Sequence, residues 1–175
     1  LYGEHNSYRL QAGYDILKNL RLKASNGTGY RPPSLYEGNN LKSGTTKLEP
    51  EETSNSEIGF DYYNNSENFK FSASYFSGSI DNEIAYSSGY YQGTGKSNIQ
   101  GYEISSKKFF GDELTLSSSY TFTDSDKNST STSKGSLVPM HKLSSEIEYN
   151  FENDIKTNFS LVYHDKLTKL SLIHI

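Results

Sequence analysis

The chain has 175 residues, a formal net charge of −4 and no cysteine. The missing cysteine excludes disulfides and thiolate metal sites, and the charge, with no basic stripe, excludes a nucleic-acid surface. Hydrophobic residues make up only 33% of the sequence, and no apolar run is long enough for a membrane-spanning helix.

Alternation begins in residues 8–16, where Tyr8, Leu10, Ala12, Tyr14 and Ile16 interleave with Arg9, Gln11, Gly13 and Asp15. A period of two puts the sets on opposite faces of a strand. A turn at 17–19 leads to a second strand at 20–30, and a long polar loop with a Pro pair, 31–52, leads to a third at 53–62. After a turn at 63–68, Phe69, Phe71, Ala73 and Tyr75 alternate with Lys70, Ser72 and Ser74. A second long loop is predicted at 77–96, a strand at 97–109 and a tight turn at Gly111-Asp112. Leu114, Leu116, Ser118, Tyr120 and Phe122 then oppose Thr115, Ser117, Ser119 and Thr121. Beyond a third long loop at 124–138, Leu143, Ile147, Tyr149 and Phe151 face away from Ser144, Glu146, Glu148 and Asn150. A last turn at 152–154 precedes Ile155, Phe159, Leu161 and Tyr163, which oppose Lys156, Asn158 and Ser160. No segment shows helical periodicity with caps.

These are about eight strands, each near the ~9–11 residues a tilted strand needs to cross a bilayer. The connections are short and rich in Asn, Gly and Asp at one end and long and polar at the other. That sorting is the outer-membrane barrel arrangement, short turns periplasmic and long loops extracellular. A wet interior needs only one apolar face per strand, so low hydropathy is expected. Fifteen Tyr and nine Phe without Trp are a heavy aromatic load. Tyr8, Tyr14, Tyr62, Tyr75, Tyr120, Tyr149 and Phe151 fall near strand ends, where interfacial girdles lie, and cross-strand packing explains some of them equally well.

Catalytic and metal chemistry has no foothold. His5, His141, His164 and His174 are scattered, without a partner at metal-ligand spacing. Gly93-Thr94-Gly95-Lys96 follows a loop rather than a buried parallel strand, so it is not a phosphate-binding motif. Glu49-Pro50-Glu51-Glu52 reads as a solvated loop foot rather than an acid/base pair. A non-enzyme without a cofactor is expected.

Gly29-Tyr30-Arg31-Pro32-Pro33-Ser34-Leu35-Tyr36-Glu37 and the stretch from Leu48 to Ser54 resemble the strand end and strand start of TonB-dependent outer-membrane receptors of the vitamin B12 and siderophore type. The likeness continues in order through Ser74-Tyr75-Phe76, residues 81–84, Asn98-Ile99-Gln100-Gly101-Tyr102-Glu103, Ser119-Tyr120-Thr121 and Pro139-Met140-His141-Lys142-Leu143. Each piece is weak alone; the ordered set is specific. Gly29, Pro33, Leu48, Pro50, Glu51, Gly101, Glu103 and Pro139 are its structural positions.

The resemblance implies an antiparallel transmembrane barrel of ~22 strands, of which about eight would be here. Residues 1–169 would be a partial barrel, 170–175 a truncated or artefactual tail, and a plug, a TonB-binding segment and a signal peptide would lie upstream. Alone, such a sheet would leave two open edges in lipid and is not expected to fold stably. The function implied is energised uptake of a ferric siderophore, cobalamin or similar scarce ligand across the outer membrane of a Gram-negative bacterium. The partners implied are the TonB complex, the ligand and outer-membrane lipid or lipopolysaccharide. Leu137-Val138 stand where many members have a basic residue, which weakens a cobalamin assignment.

Within the long loops, Tyr30, Arg31, Tyr36, Tyr86, Tyr90 and Tyr91 offer aromatic faces and one cation to a large, partly planar, often anionic ligand. The blander reading is that Tyr30 and Arg31 lock the strand end while the Pro pair shapes the loop exit. Glu103, Glu146 and Glu148 would line the lumen or repel anions. Three other architectures are compatible with the pattern: a complete small eight-stranded barrel with a structural or adhesive role, a secreted β-sandwich binder, and a plugless diffusion porin.

Overall fold

The computed structural model describes residues 4–44, 47–64, 66–93, 95–127, 139–151 and 155–165. The turn expected at 152–154, the stretch 128–138 with Leu137 and Val138, and the tail 170–175 lie outside the described residues.

Eight strands form one antiparallel meander: β1 (Arg9–Leu17), β2 (Leu20–Arg31), β3 (Glu51–Tyr63), β4 (Phe69–Asp81), β7 (Ser97–Phe110), β8 (Leu114–Lys127), β9 (His141–Asn150) and β10 (Lys156–His164). Each pairs with the next in the sheet, and β1 and β10 stand at its edges. Between β4 and β7 a separate hairpin, β5 (Ile84–Ser87) and β6 (Tyr90–Gly93), folds out of the sheet. This is the wall of an antiparallel β-barrel, unclosed over these strands.

Register explains the alternation. The row Ala24, Ile58, Tyr75, Tyr102, Phe122 and His141 runs straight across six strands, as does Leu22, Phe60, Ala73, Ile104, Tyr120 and Leu143. Direct partners share a face, so one surface of the sheet collects nearly all its exposed apolar side chains, from Leu10 and Tyr14 to Phe159 and Tyr163. The opposite surface carries Arg21 bonded to Asp15 at 2.7 Å and Lys23 bonded to Asp61 at 2.9 Å. Apolar residues left bare on one side and ion pairs on the other suit a lipid-facing wall around a wet lumen. A sandwich would instead bury its apolar face against a second sheet.

Two sequence expectations are corrected here. Strands run further than the alternation predicts: β4 continues to Asp81 and β8 to Lys127. Past Ser77 and Asp124 the face that carried the apolar residues turns polar (Ser79 and Asp81, then Asp126), so the two-residue period fades while backbone pairing continues. The first long loop also contains a capped helix, α1 (Leu35–Asn39). Its N-cap Ser34 accepts from Glu37 N–H at 3.2 Å, and Glu37 Oε2 accepts from Ser34 N–H at 2.7 Å. That reciprocal box starts a helix too short for any apolar periodicity to show.

Gly101 is buried in the lumen face, where Phe76 lies across it. A Cβ there would run into the Phe122 carbonyl oxygen and the Phe76 ring, so only glycine fits this crossing.

Candidate functional site

The described residues bury side chains mainly above the sheet. Leu48 at 3%, Ile84 at 6% and Ala85 at 3% exposure are its buried hydrophobic residues, and Pro33 and Pro50 are buried with them. All five belong to the two long connections β2–β3 and β4–β7. The loops therefore form a small folded unit at one end of the wall.

A carboxylate clip secures this unit. Arg31, the last residue of β2, donates from Nε to Glu51 Oε2 at 2.6 Å, and from Nη1 to Glu37 Oε2 at 3.1 Å. The other oxygen of Glu51 accepts the Ile84 N–H at 2.8 Å. One guanidinium thus joins β2, α1 and β3, and through Glu51 it reaches the β5–β6 hairpin. The clip lies beyond the apolar band, which ends at Ala24 and Ile58 on these strands. Hydrogen bonding to Arg31, then to Ile84, outweighs burial and holds the Glu51 carboxyl below its ordinary value. Burial opposes ionisation of Glu37, yet hydrogen bonds from Ser34 and Arg31 also bring it below the usual range. The solvated foot expected at Glu49–Glu52 is corrected accordingly: Glu49 and Glu52 are exposed, but Pro50 is buried and Glu51 is bonded on both oxygens.

The hairpin docks against the first loop through its backbone. Tyr91 N–H donates to Asn40 C=O at 2.7 Å, and Lys42 N–H donates to Tyr91 C=O at 3.3 Å. Around this seam three tyrosines gather. The Tyr36 and Tyr91 rings meet edge to face with centroids 5.9 Å apart, and Tyr86 and Tyr91 lie 5.1 Å apart. Tyr36 is 67% and Tyr86 51% exposed, so their ring faces are open to solvent.

The six residues singled out in the sequence therefore separate. Tyr36, Tyr86 and Tyr91 come together. Tyr90 pairs with Ser87 and so points to the other face of the hairpin. Tyr30 falls on the apolar-side face, stacked on His5 at 3.9 Å. Arg31 has its guanidinium on two carboxylates. Of the structural positions, Gly29 faces Thr53 at a spacing that leaves no room for a Cβ, Glu103 pairs with Ser74 and Thr121 on the lumen face, and Pro139 precedes β9. Sequence reading missed the hairpin itself. Its signal was Ser88-Gly89, which take φ of 53° and 96°, the two left-handed positions of a tight hairpin turn. Among the described residues no group of acidic or histidine side chains is arranged to hold a metal ion.

A meandering wall with one apolar face, short turns at one end and a folded loop unit at the other defines an outer-membrane-type β-barrel. The family model described as "TonB dependent receptor-like, beta-barrel" matches residues 2–168, and the chain belongs to that family. In sequence it is 29% identical over 109 residues to the vitamin B12 transporter BtuB of Vibrio cholerae serotype O1, covering 61% of this chain and 18% of the transporter. In fold it is similar to the ferric enterobactin receptor PfeA of Pseudomonas aeruginosa, with TM-score 0.77 and 19% identity, over 93% of this chain and 28% of that one. The ferripyoverdine receptor of the outer membrane of Pseudomonas aeruginosa gives TM-score 0.65 at 19% identity, over 89% of this chain and 25% of the receptor. The chain thus spans less than a third of the length of these proteins.

Proposed function

We propose that these strands are part of the barrel wall of a larger TonB-dependent receptor in a Gram-negative outer membrane. There the receptor takes up a ferric siderophore, cobalamin or a similar scarce ligand with energy delivered through the TonB complex. A plug and a TonB-binding segment in the rest of that receptor belong to the same reading. The observation that carries it is the loop unit: three partly open tyrosines held by a clip on a rigid wall, at the end where the strands leave the apolar band. Loops on a rigid scaffold vary and close without disturbing the barrel. Their aromatic faces suit a ligand with a planar chelating group or a corrin ring. Tyr36, Tyr86 and Tyr91 are the contact residues in this proposal, Tyr90 and Tyr30 flank them, and Arg31 positions the loops.

The test is ligand binding by the full-length gene product, measured by fluorescence quenching with a ferric catecholate, a ferric hydroxamate and cyanocobalamin. Tyr91→Ala is expected to weaken one of these at least tenfold while the yield of folded barrel stays unchanged. Binding of none of the three by the wild type, or unaltered affinity in the variant, overturns the assignment of this site.

A further inference from the structure

Three cations on the lumen face carry their own counter-ions: Arg21 has Asp15, Lys23 has Asp61, and Arg31 has Glu37 and Glu51. Lys70 of β4 and Lys107 of β7 do not. They are direct partners across the two strands on that face, and among the described residues neither ammonium has a carboxylate at ion-pair distance. Like charges set directly opposite one another destabilise a strand pair. Water solvates two amines equally well when they are apart, so a wet lumen alone gives no reason to oppose them.

The surroundings draw the two amines together. Lys107 Nζ lies 5.2 Å and Lys70 Nζ 5.8 Å from the centroid of the Phe109 ring, and Lys70 Nζ is also 5.6 Å from that of Tyr63. Both ammoniums thus stand around one ring. A depression of about 360 Å³ opens beside them, lined also by Ser72, Ser105, Ser117 and Glu146. Glu146 closes its far side: it shares the row of Lys107 and Ser117 but stands two strands from Lys107, roughly 10 Å away. Asn158 donates to its carboxylate. Asp61, diagonal to Lys70 across β3 and β4, already accepts from Lys23 at 2.9 Å. Two ammoniums and neighbouring hydroxyls are therefore gathered as donors, and the matching acceptor is an oxyanion that bridges both amines.

We propose that Lys70 and Lys107 form an anion-binding station on the lumen wall for a small solute bearing two or more carboxylate or phosphate groups. The station lies beside the turns that follow β3 and β7, at the opposite end of the wall from the loop unit. In the uptake reading, on which this role rests, an anionic ligand admitted by the loops is held here before it leaves the lumen. The cargo class is then anionic rather than neutral.

The experiment uses the full-length gene product in neutral detergent micelles, where both mouths of the barrel are open, with citrate as the probe. Sodium chloride of equal ionic strength is the control, because salt alone screens part of the repulsion. Thermal unfolding is followed by gel mobility. Citrate should raise the wild-type midpoint by about 2 °C or more over chloride, and the double variant Lys70→Met with Lys107→Met should lose that increment. In chloride, Lys107→Met should unfold no lower than the wild type, because it removes one of two opposed charges. No citrate increment in the wild type overturns the proposal, as does an increment kept by the double variant. A midpoint lowered by Lys107→Met in chloride also overturns it, since the amine would then be tied to a carboxylate elsewhere in the receptor. The wild-type comparison stands even if the double variant does not fold. A citrate increment in a protein that binds none of the three probe ligands would overturn the transport role and retain the anion site, so the two failures are distinguishable.

Discussion

Arg31 Nε and Glu51 Oε2 lie 2.6 Å apart, tying the last residue of β2 to the first residue of β3 across the loop that contains α1. Because Glu51 also accepts the Ile84 N–H, this contact is shared by both long loops. Replacing Arg31 by Met removes the cation and leaves two carboxylates facing one another. Hydrogen bonds to charged groups contribute about 1.5–3 kcal/mol. Arg31 is 47% exposed, so screening lowers the expected cost to about 1 kcal/mol. The loss is expected in the loop unit and not in the wall. Hydrogen exchange at the Ile84 amide should accelerate several-fold while amides of β3 and β7 keep their protection. Acceleration throughout the sheet would show that the clip supports the barrel rather than the loops.

The same clip sets a pH dependence. Glu37 and Glu51 are both held below their ordinary carboxyl value of 4.5, so their contribution is complete above that value and is lost as the pH falls through the lowered ones. Protection of Ile84 should be level from neutrality down to 4.5 and decline only below it. In Glu51→Gln the decline should shrink, because the remaining titration is that of Glu37 alone. A loss of protection already near neutrality would assign the switch to another group.

Gly101 supports the wall where β7 and β8 cross beneath Phe76. Gly101→Ala drives a methyl group into backbone on one side and an aromatic ring on the other. Overpacking of this kind costs about 1–3 kcal/mol. The variant should show a smaller fraction of compact, heat-modifiable barrel on a cold gel, with ligand affinity of the folded fraction unchanged. Phe76→Ala in the same chain should recover only part of the yield, because the Phe122 carbonyl oxygen remains in the way.

How legible this was depends on whether a side chain's surroundings are written in its near neighbours. The β8 alternation from Leu114 to Phe122 was readable because lipid selects one face and lumen water the other. The far halves of β4 and β8 were not, because serine and aspartate replace the apolar residues of the outer face and erase the period while the hydrogen-bond ladder continues. Ser34-x-x-Glu37 carried α1 in full view, but a helix of one turn has no periodicity to announce it. Tyr36 and Tyr91 were both singled out from sequence. Their meeting depends on Asn40 and Tyr91 pairing across two loops, a contact no local pattern encodes. Tyr30 and Arg31, adjacent in sequence, separate for the simplest reason: consecutive strand residues point to opposite faces.

The hairpin turn offers the sharpest control over the aromatic cluster. Ser88 and Gly89 both sit at positive φ, the conformation of a two-residue turn that favours Asn followed by Gly. Serine tolerates this region poorly, whereas asparagine enters it readily. Ser88→Asn should therefore stabilise the hairpin by a few tenths of a kcal/mol, to at most about 1 kcal/mol. Gly89→Val acts in the opposite direction. A β-branched residue held at φ of 96° is strained by about 1–3 kcal/mol, comparable with what a four-residue strand pair contributes. Tyr86 and Tyr91 owe their 5.1 Å approach to that pairing, so loosening the turn should disperse them. The measurement is the affinity of the three variants, wild type included, for whichever of the three probe ligands binds, alongside barrel yield. Affinity should rank Ser88→Asn, then wild type, then Gly89→Val, at constant yield. The reverse order would mean that the tyrosines bind better when released from the hairpin, and the folded loop unit would then be a closed state rather than the receptive one.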